Sequence, residues 1–260
     1  MNGPGAYELR DVGVTFGSVS ALNHLDLSIA TGETVALVGP SGAGKTSLLR
    51  VLAGTIVPTR GTASLLGAEP SSLRSTGRLP SLVGLMPQRL DLIPQLTVKQ
   101  NIQAGALGRW TLLRSVAALL RPLALPAARA AAARVGIEQR FLQRVTRCSG
   151  GEQQRTALAR LLVQDPRILL VDEPVSSLDP ARADDLLTLL CSLAVEDGRT
   201  LVASLHTPEL ARHHFDRVIG LRDGCVAFDE PAESVTPQLL ARVYRMSDSE
   251  VLAGPPGSAR

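Results

Sequence analysis

A chain of 260 residues with 45% hydrophobic and 20% charged residues can bury one substantial core and is too apolar to be disordered. A net charge of +3 gives no case for nucleic acid, and aromatics at 3% leave no platform for stacking single-stranded bases. Cys148, Cys191 and Cys225 are odd in number, widely spaced and without a metal-ligand pattern, which suits filler roles in a reducing compartment. No basic-then-apolar signal opens the chain, and the longest apolar stretch, residues 116–135, is broken by Arg121, Pro122, Pro126, Arg129 and Arg134. It cannot cross a bilayer core of about 30 Å as a continuous apolar helix, so a soluble chain is expected, tied to a membrane only through a partner.

In chain order, short strands are expected over residues 7–16, 25–29 and 33–38, with turns at Gly17 and Thr31-Gly32, forming a small β layer. The third strand stops at Gly39; Pro40, Ser41, Gly42, Ala43 and Gly44 then lead into Lys45 and Thr46, and Leu48, Leu49 and Leu52 continue a helical pattern. This G-x-x-x-x-G-K-[ST] spacing between strand and helix turns backbone N–H groups inward onto phosphate oxygens, at the positive end of the helix. Gly42 and Gly44 permit close approach, Lys45 reaches terminal phosphates, and the Thr46 hydroxyl can ligate a magnesium ion. The chain has only two lysines, so composition alone would not put one here. A dinucleotide fingerprint fits worse, because its third glycine would fall at Ser47. Phe16 could stack on a nucleotide base or pack in the core.

Residues 58–67 read as a turn and short strand, and residues 82–86 as a buried strand ending at Pro87-Gln88. Residues 98–102 and 110–135, rich in Ala, Leu and Arg at helical spacing, read as a helical lobe inserted into an α/β core. Alternation then resumes with a strand at 167–171, a helix at 181–194 and a strand at 200–205 ending at His206, which implies a mainly parallel sheet. Strands at 218–221 and 225–228 flank Arg222-Asp223-Gly224 as a hairpin, and the tail at 247–260 is expected to be disordered.

The strand at 167–171 runs into Asp172-Glu173. Beside a phosphate loop, Asp172 can hold magnesium through water and Glu173 can polarise an attacking water; a solvated strand end is the plainer alternative. Adjacent strand side chains face opposite ways, so both can serve one site only where the backbone turns. Cys148-Ser149-Gly150-Gly151-Glu152-Gln153-Gln154-Arg155 opens another helix, either as a bare N-cap or as a second anion-binding terminus. A single ATP, however, is already covered by residues 39–46.

Taken together, residues 7–230 resemble the nucleotide-binding subunit of an ABC (ATP-binding cassette) transporter. GPSGAGKT at 39–46, Gln88, CSGGEQQR at 148–155, ILLVDEP at 168–174, SSLD at 176–179 and His206 follow in that family's order. The resemblance implies an α/β P-loop NTPase core with a mainly parallel sheet and an N-terminal antiparallel β layer. The ATPase domain would cover residues 1–235, with an α-helical subdomain at about 89–160 inserted in a RecA-like core, and a C-terminal helix and tail would cover 236–260. It further implies MgATP held by residues 39–46, a base-stacking role for Phe16, and Thr46, Gln88 and Asp172 around the metal. Glu173 and His206 would be catalytic. Two copies would pack head to tail, so that Ser149, Gly150 and Gly151 of one bind the γ-phosphate held by the other, with Asp179 communicating across the dimer. Cys148 stands where the family usually has Leu, and Glu152 where Gln is commonest.

The single cassette, GALGRWTLLRS at 105–115, QDPRILLVDEPVSSLDP at 164–180 and the run at 204–224 resemble the ATPases of bacterial phosphonate importers. That resemblance implies transmembrane permease subunits, a periplasmic or lipoprotein substrate-binding protein, and a peripheral place on the cytoplasmic face of the inner membrane. An exporter or lipoprotein-release cassette shares the chemistry. A non-transport ATPase acting on ribosomes or DNA is less favoured, since a second cassette and a long coiled-coil insert are both missing.

Overall fold

Every second side chain of the central strands enters a different core, and this alternation organises the protein. In the computed structural model, which describes residues 5–109 and 126–244, Ala36 and Val38 of β3 (Thr34–Val38) pack on one face of a sheet. Val35 and Leu37 pack on the other. β6 (Ile168–Asp172) divides the same way, Leu169 and Val171 against Ile168 and Leu170. A strand buried on both faces reads as a continuous apolar run, which is why these segments were recognisable without alternation in the sequence.

Among the described residues, nine strands form two sheets. β1 (Gly5–Phe16), β2 (Val19–Ala30) and β4 (Arg60–Leu65) make an antiparallel layer in the order β2-β1-β4. β5 (Val83–Met86), β6, β7 (Thr200–Leu205), β3, β8 (Arg217–Arg222) and β9 (Cys225–Pro231) line up in that order. The pairs from β5 to β8 are parallel and β9 closes the edge antiparallel, as a hairpin around Asp223-Gly224. The expected α/β fold with an antiparallel layer is therefore present. The second strand is longer than the expected 25–29, because it continues into a hairpin that pairs Phe16 with Val19. Its alternation is hidden by irregular register and by His24, whose φ of 45° is left-handed.

Helices α1 (Lys45–Leu52), α2 (Pro70–Ser75) and α3 (Leu79–Leu82) follow the first strands; the last two were not anticipated. Tyr7 of the β layer donates its hydroxyl to the Leu52 carbonyl at 3.0 Å and so ties that layer to the end of α1. α4 (Val98–Gln103), a 3₁₀ segment (Ala104–Arg109), α5 (Pro126–Arg134) and the first part of α6 (Gly150–Gln164) form the helical region between β5 and β6. Val98, Ile102, Ala128, Ala132 and Leu158 belong to the same apolar cluster as one sheet face. Residues 110–125 of the helical stretch expected at 110–135, and the tail expected at 247–260, lie outside the described residues. α7 (Pro180–Glu196), α8 (Pro208–His214) and α9 (Pro237–Tyr244) complete the fold. α7 starts at Asp179, whose carboxylate accepts the Arg182 N–H at 3.1 Å, and Pro180 suits its first turn.

Gly105 marks the closest approach in the helical region. A Cβ there would collide with the backbone carbonyl oxygen of Arg160 on α6. That neighbour is main chain and cannot rotate away, so Gly105→Ala is expected to lower unfolding free energy by about 1–3 kcal/mol, measured by urea denaturation.

Candidate functional site

The carboxyl ends of adjacent strands β5, β6, β7 and β3 deliver Gln88, Asp172-Glu173, His206 and the Gly39 loop to one edge of the sheet. Ligands of open α/β sheets bind at this edge. Ser41 to Ser47, Gln88, Glu173, His206 and the β2 residues Val19, Ser20 and Ala21 line a cleft of 390 Å³.

The loop keeps the shape its glycines allow. Gly44 has φ 100°, and a Cβ on it would sit 2.6 Å from the Ala21 carbonyl oxygen. Gly42 has φ 82° with open space where a side chain would be. Ala43 of the loop accepts a hydrogen bond from the Gly224 N–H at 3.2 Å, so the β8–β9 turn buttresses it. The Lys45 ammonium is buried and donates to the carbonyl oxygens of Gly39 at 2.7 Å and Pro40 at 3.0 Å. Burial pulls its pKa below the ordinary lysine value, while the nearby Glu173 and Asp172 charges oppose that fall.

Asp172 and Glu173 both reach the cleft side because the backbone turns between them. Asp172 ends β6 and pairs in register with Ser204 of β7, whereas Glu173 adopts a left-handed φ of 48°. Ser204 stabilises this turn: its hydroxyl donates to Asp172 Oδ1 at 2.6 Å and accepts the Glu173 N–H at 2.9 Å. Asp172 Oδ1 also accepts the Thr46 hydroxyl at 3.3 Å. The Glu173 carboxylate is held at both oxygens, by His206 Nε2 at 2.5 Å and by the Gln88 amide nitrogen at 2.6 Å. Ser204 was missed in the sequence. The available signal was a hydroxyl inside the apolar run Leu201-Val202-Ala203-Ser204-Leu205, fully buried in the structure.

The remaining candidates lie elsewhere. Phe16 is 50% exposed, so core packing is not its role; it is absent from the lining of the 390 Å³ cleft, although its strand partner Val19 is part of it. Ser149 and Gly151 line a separate cleft of 430 Å³ with Leu178, Arg182 and Asp185. Gly150 lies between them at the start of α6. Asp179 points into the cap of α7 and does not reach the phosphate-loop cleft. The described residues therefore line two separate clefts.

Glu152 completes the terminus of α6 as a capping box. Its N–H donates to the Ser149 hydroxyl at 3.3 Å, and its carboxylate accepts the Ser149 N–H at 2.7 Å and Arg140 Nε at 2.8 Å. Cys148 is buried beneath it and fills apolar space in the core. Burial raises its thiol pKa, as expected of an inert side chain.

Two predictions follow from this geometry. Ser204→Ala takes the 2.6 Å donor from the buried Asp172 carboxylate, leaving it the longer Thr46 contact, and removes the partner of the Glu173 N–H, so it should cost about 1–3 kcal/mol in equilibrium denaturation. The Ser149 N–H, above all, holds the Glu152 pKa below the ordinary glutamate value, with Arg140 adding to it. A depressed folded-state pKa contributes stability above the unfolded pKa that disappears as pH falls through the folded one. The melting-temperature advantage of wild type over Glu152→Gln should thus be present at neutral pH and vanish on acidification below the ordinary glutamate range.

Comparison with known proteins bears on the family and the fold. The family described as "ABC transporter" matches residues 22–176. A protein of Pseudomonas entomophila named "Phosphonates import ATP-binding protein PhnC" is 47% identical over 238 residues, spanning 91% of this chain and 90% of that relative. Its namesake from Pseudomonas putida is 47% identical over 253 residues, spanning 96% and 93%. A solved dimeric ATP-binding cassette, MJ0796, in a post-hydrolysis state bound to ADP and Pi, superposes with a TM-score of 0.75 at 29% identity. The match covers 88% of this chain and all of that one. A phosphate loop, a strand-end carboxylate pair, a capped second terminus and a family match over most of the described core together make this chain a member of the ABC transporter family of ATP-binding cassettes.

Proposed function

We propose that this chain is the ATP-hydrolysing subunit of a phosphonate importer, working as a head-to-tail pair of identical copies beneath transmembrane permease subunits. The observation that carries the mechanism is the single network joining Thr46, Asp172, Ser204, Glu173, Gln88 and His206 beside the buried ammonium of Lys45. The substrate class is supported by the relatives named for phosphonate import, which this chain matches nearly end to end.

The donor set suits a hard divalent cation. The Thr46 hydroxyl, the Asp172 carboxylate and the Gln88 amide supply oxygen alone, the preference of magnesium. A magnesium ion held by these three side chains would supply positive charge against the negative charge of the terminal phosphates. The loop N–H groups and Lys45 hold the phosphates of ATP; to do so, Lys45 exchanges its bonds to the Gly39 and Pro40 carbonyls for phosphate oxygens. Glu173 leaves Gln88 and His206, orients a water against the γ-phosphorus and accepts its proton as the bond to the leaving ADP oxygen breaks. His206, freed from Glu173, donates to the γ-phosphate.

Ser149, Gly150 and Gly151 of the second copy supply the other wall. Their helix terminus faces a cleft separate from the phosphate loop of their own chain, and a partner's nucleotide accounts for this separation. Phe16, exposed at the end of β1, is placed in this reading against the adenine. Among the described residues no helix is long and apolar enough to cross a membrane; in this reading the permease subunits would hold the chain at the cytoplasmic face. A periplasmic or lipoprotein binding protein would deliver the substrate.

The reading is tested in the reconstituted complex, with phosphonate, phosphite and phosphate as competing substrates. ATP-dependent uptake competed best by phosphonate is expected, and uptake indifferent to phosphonate would redirect the substrate assignment. Glu173→Gln should reduce turnover by about 100-fold or more while ATP-dependent dimerisation, followed by light scattering, persists. Undiminished turnover would remove Glu173 from the role of base.

A further inference from the structure

β3 and β7 run side by side and their ladder ends at the pair Val38 and Leu205. The next residues, Gly39 and His206, begin the phosphate loop and the segment carrying the histidine that holds Glu173. Both lie where strand pairing has ended, yet they are not left unconnected. The Gly39 N–H donates to the Tyr244 hydroxyl at 3.1 Å, and that hydroxyl donates to the His206 carbonyl oxygen at 3.4 Å. One phenol thus spans the gap that a further rung of the ladder would have closed.

Its placement is built into the fold. Tyr244 ends α9, whose Val243 is buried against Gly220 of β8; a Cβ at Gly220 would collide with Phe228 Cε1 and lie 2.8 Å from Val243 Cγ2, so glycine admits the Phe228 ring and the helix together. Arg222 of the same strand donates Nη1 to the Arg242 carbonyl at 2.9 Å and fixes the last turn. Burial raises the Tyr244 pKa, against the opposing effect of the Gly39 N–H, so the hydroxyl keeps the proton it needs to donate while it accepts.

We propose that Tyr244 is a positioning residue of the nucleotide site, a bridge that sets the phosphate loop and the His206 segment in register with each other. Tyr244 is absent from the lining of the 390 Å³ cleft, and its hydroxyl meets main-chain groups. It acts through Gly39, whose carbonyl oxygen is the Lys45 partner, and through the backbone of His206, whose ring is the Glu173 partner. The C-terminal helix, which no nucleotide motif includes, therefore belongs to the catalytic unit. This inference rests on the ATPase reading above and assigns to that site a support outside its motifs.

The test is Tyr244→Phe in the full chain, which keeps the ring and removes only the hydroxyl. Turnover is counted per bound nucleotide, so that a reduced folded fraction cannot imitate a loss of rate. Expected are a kcat about fivefold to tenfold lower, as for one lost hydrogen bond, with ATP affinity within about twofold of wild type. Amide exchange at Gly39 should accelerate about tenfold while Val35 to Val38 of β3 keep their protection. A kcat within about twofold of wild type overturns the proposal whatever the exchange shows. A variant that loses folding instead of turnover also overturns it, by assigning the hydroxyl to stability; Tyr244→Leu reads the same two quantities independently. Absence of hydrolysis by the wild-type chain would instead defeat the ATPase reading itself.

Discussion

The site depends on one pairing, Asp172 of β6 opposite Ser204 of β7. Because the two strands are parallel and in register, the Ser204 hydroxyl comes to lie between the last carboxylate of β6 and the first N–H beyond it. It thereby holds Glu173 in a left-handed conformation that a bulky residue would otherwise avoid. Without that turn, consecutive acidic side chains would face opposite sides of the sheet and only one could meet the phosphate loop. A buried serine thus converts a strand end into a paired-carboxylate site.

Around this pairing the charged groups are mutually satisfied. The Lys45 ammonium is held by carbonyl oxygens, and Glu173 is held between Gln88 and His206. A buried ammonium and a largely buried carboxylate are costly when unpaired, so these internal contacts stabilise the chain without nucleotide. In the proposed function they are the contacts that phosphate and water would replace, so that binding and rearrangement would be one event.

The terminus of α6 is closed by an acidic side chain. Glu152, where the family resemblance would expect Gln, closes a capping box on Ser149 with its carboxylate while pairing with Arg140. A charged acceptor suits the positive end of a helix, so the substitution keeps the terminus formed. Cys148, in place of the usual Leu, remains a buried apolar filler.

Much of this protein was legible in the chain because its chemistry is local. The loop from Gly39 to Thr46 needs a fixed spacing of glycine, lysine and threonine between strand and helix, and strands such as Ile168–Asp172 are apolar on both faces, so each leaves a compact sequence signature. The irregular β2 was shortened in the reading because left-handed backbone at His24 breaks the alternation that marks a strand. Ser204 and Tyr244 were illegible for a different reason. Their roles come from a strand pairing 32 residues apart and from a hydroxyl–amide contact 205 residues apart, and neither leaves a spacing to read. The sequence by itself determined where the glycine-rich loop and the doubly buried strands lie, and with them which residues are expected to meet phosphate and metal. Only the tertiary structure decided which side chains hold them in place, because a hydrogen bond across strands depends on register and packing and on no local pattern.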